Sequence, residues 1–182
     1  MSKALIIVDV QNDYFDGGCM PLVGMTSAAS NVQKLLLHFR TKNIPVFHIQ
    51  HLSIQKGATF FIPETTGCEI HASVLPGEDE PVIVKNFPSA FRGTGLNGLL
   101  QKKGFEALVI CGAMSHMCID TTTRAAFDLG YQCTVISDAC STRNLEFDGR
   151  VVDAADVQAA YMAALQSPFA NVLKTENYLE SG

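Results

Sequence analysis

The chain has 182 residues, of which 47% are hydrophobic and 17% charged. That length suits one domain with a full core, and the apolar content excludes a disordered chain. Thirteen basic against eighteen acidic residues, a formal net charge of −5, exclude a nucleic-acid binder, which needs clustered Lys and Arg to displace counterions.

Six cysteines stand out: Cys19, Cys68, Cys111, Cys118, Cys133 and Cys140. No C-x-x-C spacing occurs, so neither a zinc ribbon nor a thioredoxin motif is expected. The opening residues, through the apolar run Ala4-Leu5-Ile6-Ile7-Val8, end in Asp9 and lack a signal-peptide layout. No stretch approaches the roughly 18 apolar residues of a membrane span. A cytoplasmic location with free thiols is expected, most of them acting as small core hydrophobes.

Strands and helices alternate along the chain. Ala4 to Val8 is a fully apolar run, as a parallel strand buried on both faces requires. Between Ser27 and Lys42, Val32, Leu35, Leu36 and Phe39 recur at helical spacing. Pro45 to Gln50 predicts a second strand, and a long polar segment from His51 to about Glu80 predicts a functional loop. Pro81 to Val84 predicts a third strand, and Leu96, Leu99 and Leu100 a short helix. Ala107 to Cys111 predicts a fourth strand, followed by a turn at Gly112 to Met117 and a helix from Cys118 to Leu129, stopped by Gly130. Cys133 to Ile136, a helix from Val151 to Ala163 and a strand from Phe169 to Leu173 complete the pattern. The expected fold is α/β, a three-layer αβα sandwich around a six-stranded, mainly parallel sheet, as one domain over residues 1–182.

Ligands of such sheets gather beyond the carboxyl ends of the strands. Three predicted strands lead there to a reactive residue: Asp9 after the first, Lys85 after the third, and Cys118 past the turn after the fourth. Taken singly these are a turn residue, a surface lysine and a core thiol; three such accidents on one sheet edge are harder to accept. A thiol must ionise to attack, and with its usual pKa of about 8.5 few of these groups are thiolates at neutral pH. A helix N-terminus favours the anion, and a lysine about 4 Å away contributes on the order of 4 kcal/mol at an effective dielectric of about 20. Asp9 can take the thiol proton and return it to a leaving amine, while backbone N–H groups of the Gly112–Cys118 turn hold an oxyanion. The chemistry so described is acyl transfer through a thioester.

Three segments carry a family resemblance: Leu5-Ile6-Ile7-Val8-Asp9-Val10-Gln11-Asn12-Asp13-Tyr14-Phe15, Val84-Lys85-Asn86-Phe87-Pro88-Ser89-Ala90-Phe91, and Val109-Ile110-Cys111-Gly112-Ala113-Met114-Ser115-His116-Met117-Cys118. In these segments the chain resembles the isochorismatase-like cysteine hydrolases, the superfamily of nicotinamidase and N-carbamoylsarcosine amidase. The resemblance implies an Asp9–Lys85–Cys118 triad, a cis peptide between Ala113 and Met114, and an oxyanion hole from the N–H groups of Met114 and Cys118. It also implies dimers or larger rings of subunits, in keeping with the low charge. Nicotinamidases carry an Asp-x-His…His metal site after the second strand; here Gln50-His51-Leu52-Ser53 lacks the aspartate, leaving only His48 and His51. No metal and no cofactor are therefore expected.

A small-molecule substrate is expected, with Phe15, Phe91, His116 and Glu64 lining its pocket; His71 contacts it or caps the loop, and Asp138 braces the active-site turn. The leading expectation is a cysteine amidohydrolase. Two alternatives stay open: an isochorismatase-type ether or ester hydrolase without covalent catalysis, and a doubly wound binding protein without turnover.

Overall fold

The apolar run after Ser2 becomes β1 (Lys3–Val8), and its alternate side chains feed two separate cores. Leu5 and Ile7 join one; Ala4, Ile6 and Val8 join the other. Burial on both faces is what an uninterrupted apolar strand requires. The computed structural model describes residues 2–181.

Helix α1 (Met25–Thr41) lays Val32, Leu35, Leu36 and Phe39 on the first face, with α5 (Thr175–Ser181) beside it through Tyr178. On the opposite face, α2 (Leu96–Lys102), α3 (Asp120–Asp128) and α4 (Ala154–Gln166) bury Leu96, Leu100, Ala126, Met162 and Leu165. Between them lie β1, β2 (Val46–His51), β3 (Val82–Lys85), β4 (Ala107–Ala113), β5 (Gln132–Ser141) and, after the hairpin β6 (Leu145–Phe147) and β7 (Arg150–Val152), β8 (Asn171–Leu173). The sheet order is β3-β2-β1-β4-β5-β8, all parallel, so the expected three-layer α/β sandwich with six strands is what forms. Strand order reverses between β1 and β4, the switch point at which open α/β sheets offer a crevice.

Gly112 makes that junction possible. A Cβ there would stand 1.9 Å from the carbonyl oxygen of Val8, and its φ is 121°. No other residue lets β4 run this close to β1.

Several elements differ from expectation. β5 continues to Ser141, because beyond Val135 its pairing to β4 shifts register and resumes at Gly112–Cys140, an irregularity that hides the strand from periodicity. The predicted start of the last helix, Val151, belongs instead to β7 of the antiparallel hairpin, whose tip is Asp148-Gly149 with φ of 49° and 70°. That dipeptide is the favoured tight hairpin turn. The predicted helix from Cys118 begins instead as a π-turn, Ser115–Ile119, before α3 takes over at Asp120. The short helix α5 was not expected.

The 51–80 segment is irregular, with two short 3₁₀ turns at Thr66–Cys68 and Ala72–Val74. Buried polar side chains hold it down. Asp13 accepts from the amides of Phe61 (2.6 Å) and Cys19 (3.1 Å), and Gln11 donates to the carbonyls of Cys68 (2.7 Å) and His51 (2.9 Å).

Candidate active site

β1 ends in Val8, and Asp9 turns away in the left-handed region at φ 51°, anchored by its amide to the carbonyl of Ile49 at 3.0 Å. An L-residue there costs about 1 kcal/mol, least for Asp and Asn. Lys85 is the last residue of β3. β4 leads through a cis Ala113–Met114 peptide into the π-turn, closed by the Ile119 amide donating to the Met114 carbonyl at 3.2 Å. Cys118 sits inside that turn, and single π-turns recur at functional sites.

These three residues meet. The ammonium of Lys85 donates to Oδ2 of Asp9 at 2.7 Å and to Sγ of Cys118 at 3.3 Å. All three are buried, at 0%, 1% and 5% exposure for Asp9, Lys85 and Cys118. Oδ1 of Asp9 is buried without a hydrogen-bond partner, an open acceptor beside the thiol. Burial works against the Lys85 ammonium, but Asp9 and Cys118 outweigh it and its pKa lies above the ordinary lysine value.

The thiol behaves differently from expectation. Burial, and then the negative Asp9, push the Cys118 pKa above the usual thiol value, and Lys85 opposes this only in part. Both effects favour the protonated form of the sulfur over the thiolate.

Two further residues belong here that sequence reasoning did not assign to the triad. His51, considered only as a metal ligand, accepts a hydrogen bond from Lys85 through Nδ1 at 2.8 Å. Burial, then the Lys85 charge, lower its pKa to about 4, so it is neutral near pH 7. Tyr14 is buried, and burial, then the charges of Cys118 and Asp9, push its phenol pKa upward. The signal for His51 was present in the ends of β2 and β3, which are neighbouring strands in register, His51 opposite Lys85.

His48 and His51 do not combine as ligands. His48 bonds Glu80 at 2.8 Å, and the Gln50 amide donates to the carbonyl of Cys68. Ligand atoms of Asp9, His51 and Cys118 do lie within 4.8 Å of one another, but Lys85 Nζ is within hydrogen-bond reach of all three residues. The cation this cluster holds is the ammonium, so these residues do not fit the metal that nicotinamidases carry.

The residues expected to line a pocket are dispersed. Phe15 stacks on His71 with ring centroids 3.6 Å apart, in a groove of about 510 Å³ that also includes Asp16, Cys19 and Thr65. His71 caps the turn that follows it, accepting from the Ser73 amide at 3.2 Å. Glu64 is an exposed residue with φ 65°. Phe91 is half-buried, its ring lying parallel to that of Tyr131 at 6.2 Å. His116 bonds the Thr142 hydroxyl at 2.6 Å through Nδ1 and is not joined to the triad. Asp138 does not brace the active-site turn; its carboxylate accepts from the amide and hydroxyl of Thr175 at the start of α5, both at 2.7 Å. That brace comes from Ser115, whose hydroxyl bonds Gln158 and the Ser141 carbonyl.

Comparison with known proteins gives a consistent picture. A family model, Isochorismatase domain, matches residues 3–177. The chain is 50% identical over 180 residues to the uncharacterized isochorismatase family protein YddQ of Bacillus subtilis (strain 168), covering 99% of this chain and 100% of that one. It is 30% identical to Nicotinamidase 3 of Arabidopsis thaliana over 156 residues, covering 79% and 75% respectively. A solved structure from Oleispira antarctica superposes with TM-score 0.95 at 46% identity, covering 98% of this chain and 96% of that one.

Proposed function

The chain belongs to the isochorismatase family of hydrolases, and from that premise we propose that it hydrolyses the C–N bond of a small-molecule amide through a Cys118 thioester. One observation carries the reading: a single buried ammonium, on Lys85, bonds both a carboxylate with a free oxygen and the sulfur. The similarity to a nicotinamidase supports an amide as the class of substrate, while the missing aspartate after β2 sets nicotinamide itself apart.

Attack proceeds as Sγ bonds the carbonyl carbon and its proton passes to Oδ1 of Asp9. The C=O electron pair moves to oxygen, where the Met114 and Cys118 N–H groups receive it. Collapse breaks the C–N bond, and Asp9 returns the proton to the departing amine. Water then adds to the thioester, giving a proton to Asp9; the C–S bond breaks, and that proton goes back to sulfur. Lys85 stays charged throughout, offsetting the negative charge that passes between sulfur and carboxylate.

The test is intact-protein mass spectrometry after mixing with a panel of small amides, with peptide mapping of any acyl adduct. An adduct on Cys118 that turns over, and that disappears together with activity in Cys118→Ala, is expected. Ether or ester hydrolysis that survives in Cys118→Ala but not in Asp9→Ala would replace this reading with the non-covalent one. Absence of both adduct and turnover would leave a binding protein.

A further inference from the structure

Lys85 makes three hydrogen bonds, and the mechanism above uses two. The third goes to Nδ1 of His51 at 2.8 Å. An ammonium has three donors and no acceptor, so the direction of this bond is settled: His51 accepts, and its neutral ring must carry its proton on Nε2. We infer that His51 is a positioning residue of the site, holding the Lys85 ammonium in the one orientation that serves Asp9 and Cys118 together. The inference rests on the thioester reading and deepens it.

The surroundings of His51 are built for this. β2 and β3 pair in parallel with His51 opposite Lys85, which puts both side chains on one face of the sheet. Gln11, itself fully buried, grips the His51 backbone on both sides, accepting from its amide at 2.8 Å and donating to its carbonyl at 2.9 Å. The amide of Leu52 donates to the Lys85 carbonyl at 2.9 Å. Phe61 lies beside the imidazole with ring centroids 6.0 Å apart. With only Asp9 and Cys118 as acceptors, the lysine side chain could swing about its torsions, keep Asp9 and leave the sulfur. A third fixed acceptor removes that freedom, as supporting hydrogen bonds do for the ligands of a metal.

The experiment measures alkylation of Cys118 by iodoacetamide at neutral pH, resolved by peptide, in the full-length protein. His51→Leu keeps bulk and removes the acceptor; His51→Asn keeps an acceptor at the position of Nδ1. Loss of one hydrogen bond to a charged group should slow Cys118 alkylation about tenfold in His51→Leu and leave His51→Asn within about twofold of wild type. In a Lys85→Met background His51→Leu should add nothing, since the histidine acts only through the lysine. An equal loss in both backgrounds, or the same loss in His51→Asn, would reduce His51 to packing. If Lys85→Met itself leaves Cys118 alkylation unchanged, the reading of Cys118 as a nucleophile activated by Lys85 fails first, and this inference with it. Should the lysine variant not fold, long-range ¹H–¹⁵N spectra of the wild type decide the contact. An Nε2–H tautomer is expected, and an Nδ1–H tautomer would overturn the proposal.

Discussion

Gly67 lies directly over the carboxylate of Asp13: a Cβ on Gly67 would stand 2.2 Å from Oδ1 and 2.4 Å from Cγ. Asp13 is buried and ties two loops by accepting from the amides of Phe61 and Cys19. The Gly67→Ala substitution must push it off those amides. Overpacking of this kind costs about 1–3 kcal/mol, to be read as a lower denaturation midpoint with unchanged slope. Unaltered stability would mean that the loop yields without moving Asp13.

A second prediction concerns acid stability. Glu80 holds α1 to the end of the long loop, taking Arg40 in a two-point contact at 2.7 Å and His48 at 2.8 Å. Burial alone would raise its pKa, but Arg40, the Gly77 amide and His48 outweigh that and hold it at about 2, below its ordinary 4.5. A depressed carboxylate stabilises the fold above its unfolded pKa, and the contribution disappears as pH falls from about 4.5 toward 2. Discounted for solvent screening, it amounts to about 1–2 kcal/mol. Urea titrations at pH 7 and pH 2 should show Glu80→Gln destabilised at the higher pH and much closer to wild type at the lower one.

His51 acts on stability over a different pH range. Its pKa falls from 6.5 to about 4 on folding, with burial first and Lys85 second as causes. Between those values the unfolded chain binds more protons than the folded one, so stability rises with pH across that interval. Replacing His51 by Asn should flatten the slope of unfolding free energy between pH 4 and 6.5. Equal slopes in wild type and variant would show that the imidazole is not held neutral.

Thiol titration gives a fourth outcome. Cys19 is exposed while the other five cysteines are buried and all six are free. A bulky aromatic disulfide reagent should find one fast thiol per chain in the native protein and six after denaturation. Burial further raises the pKa values of Cys133 and Cys140, both to about 12, and that of Cys111. Peptide mapping should place the fast site at Cys19, and a fast reaction at Cys118 with this reagent would show that the active site opens freely. Most of the thiols are core residues, as expected from the sequence, and exposure separates Cys19 from them.

Much of the layout was legible because burial on both faces leaves a plain mark. Ala4–Val8 and Ala107–Cys111 are apolar without interruption, and Val32, Leu35, Leu36 and Phe39 repeat at helical spacing. The mark fades where a local feature replaces a period. The register shift in β5, the Asp148-Gly149 hairpin and the short α5 each depend on a turn or a partner strand. Among site residues, Asp9, Lys85 and Cys118 could be found from their places at strand ends. His51 also stands at a strand end, but its role depends on the register that sets it opposite Lys85, and Tyr14 carries no such mark.

From the sequence alone come an alternating α/β pattern, three reactive groups on one sheet edge and six thiols in search of a role. Chain connectivity determines those, because strand ends and helix starts are local. The protonation of the thiol and the orientation of the ammonium were decided only by tertiary structure. Cys118 is buried, and packing withdraws water from it and pushes its pKa up, which the attraction of Lys85 offsets only in part. Lys85 points at the sulfur because β2 and β3 pair in register and bring His51 to its third N–H. Desolvation and strand register are properties of the folded whole, and no window of sequence contains them.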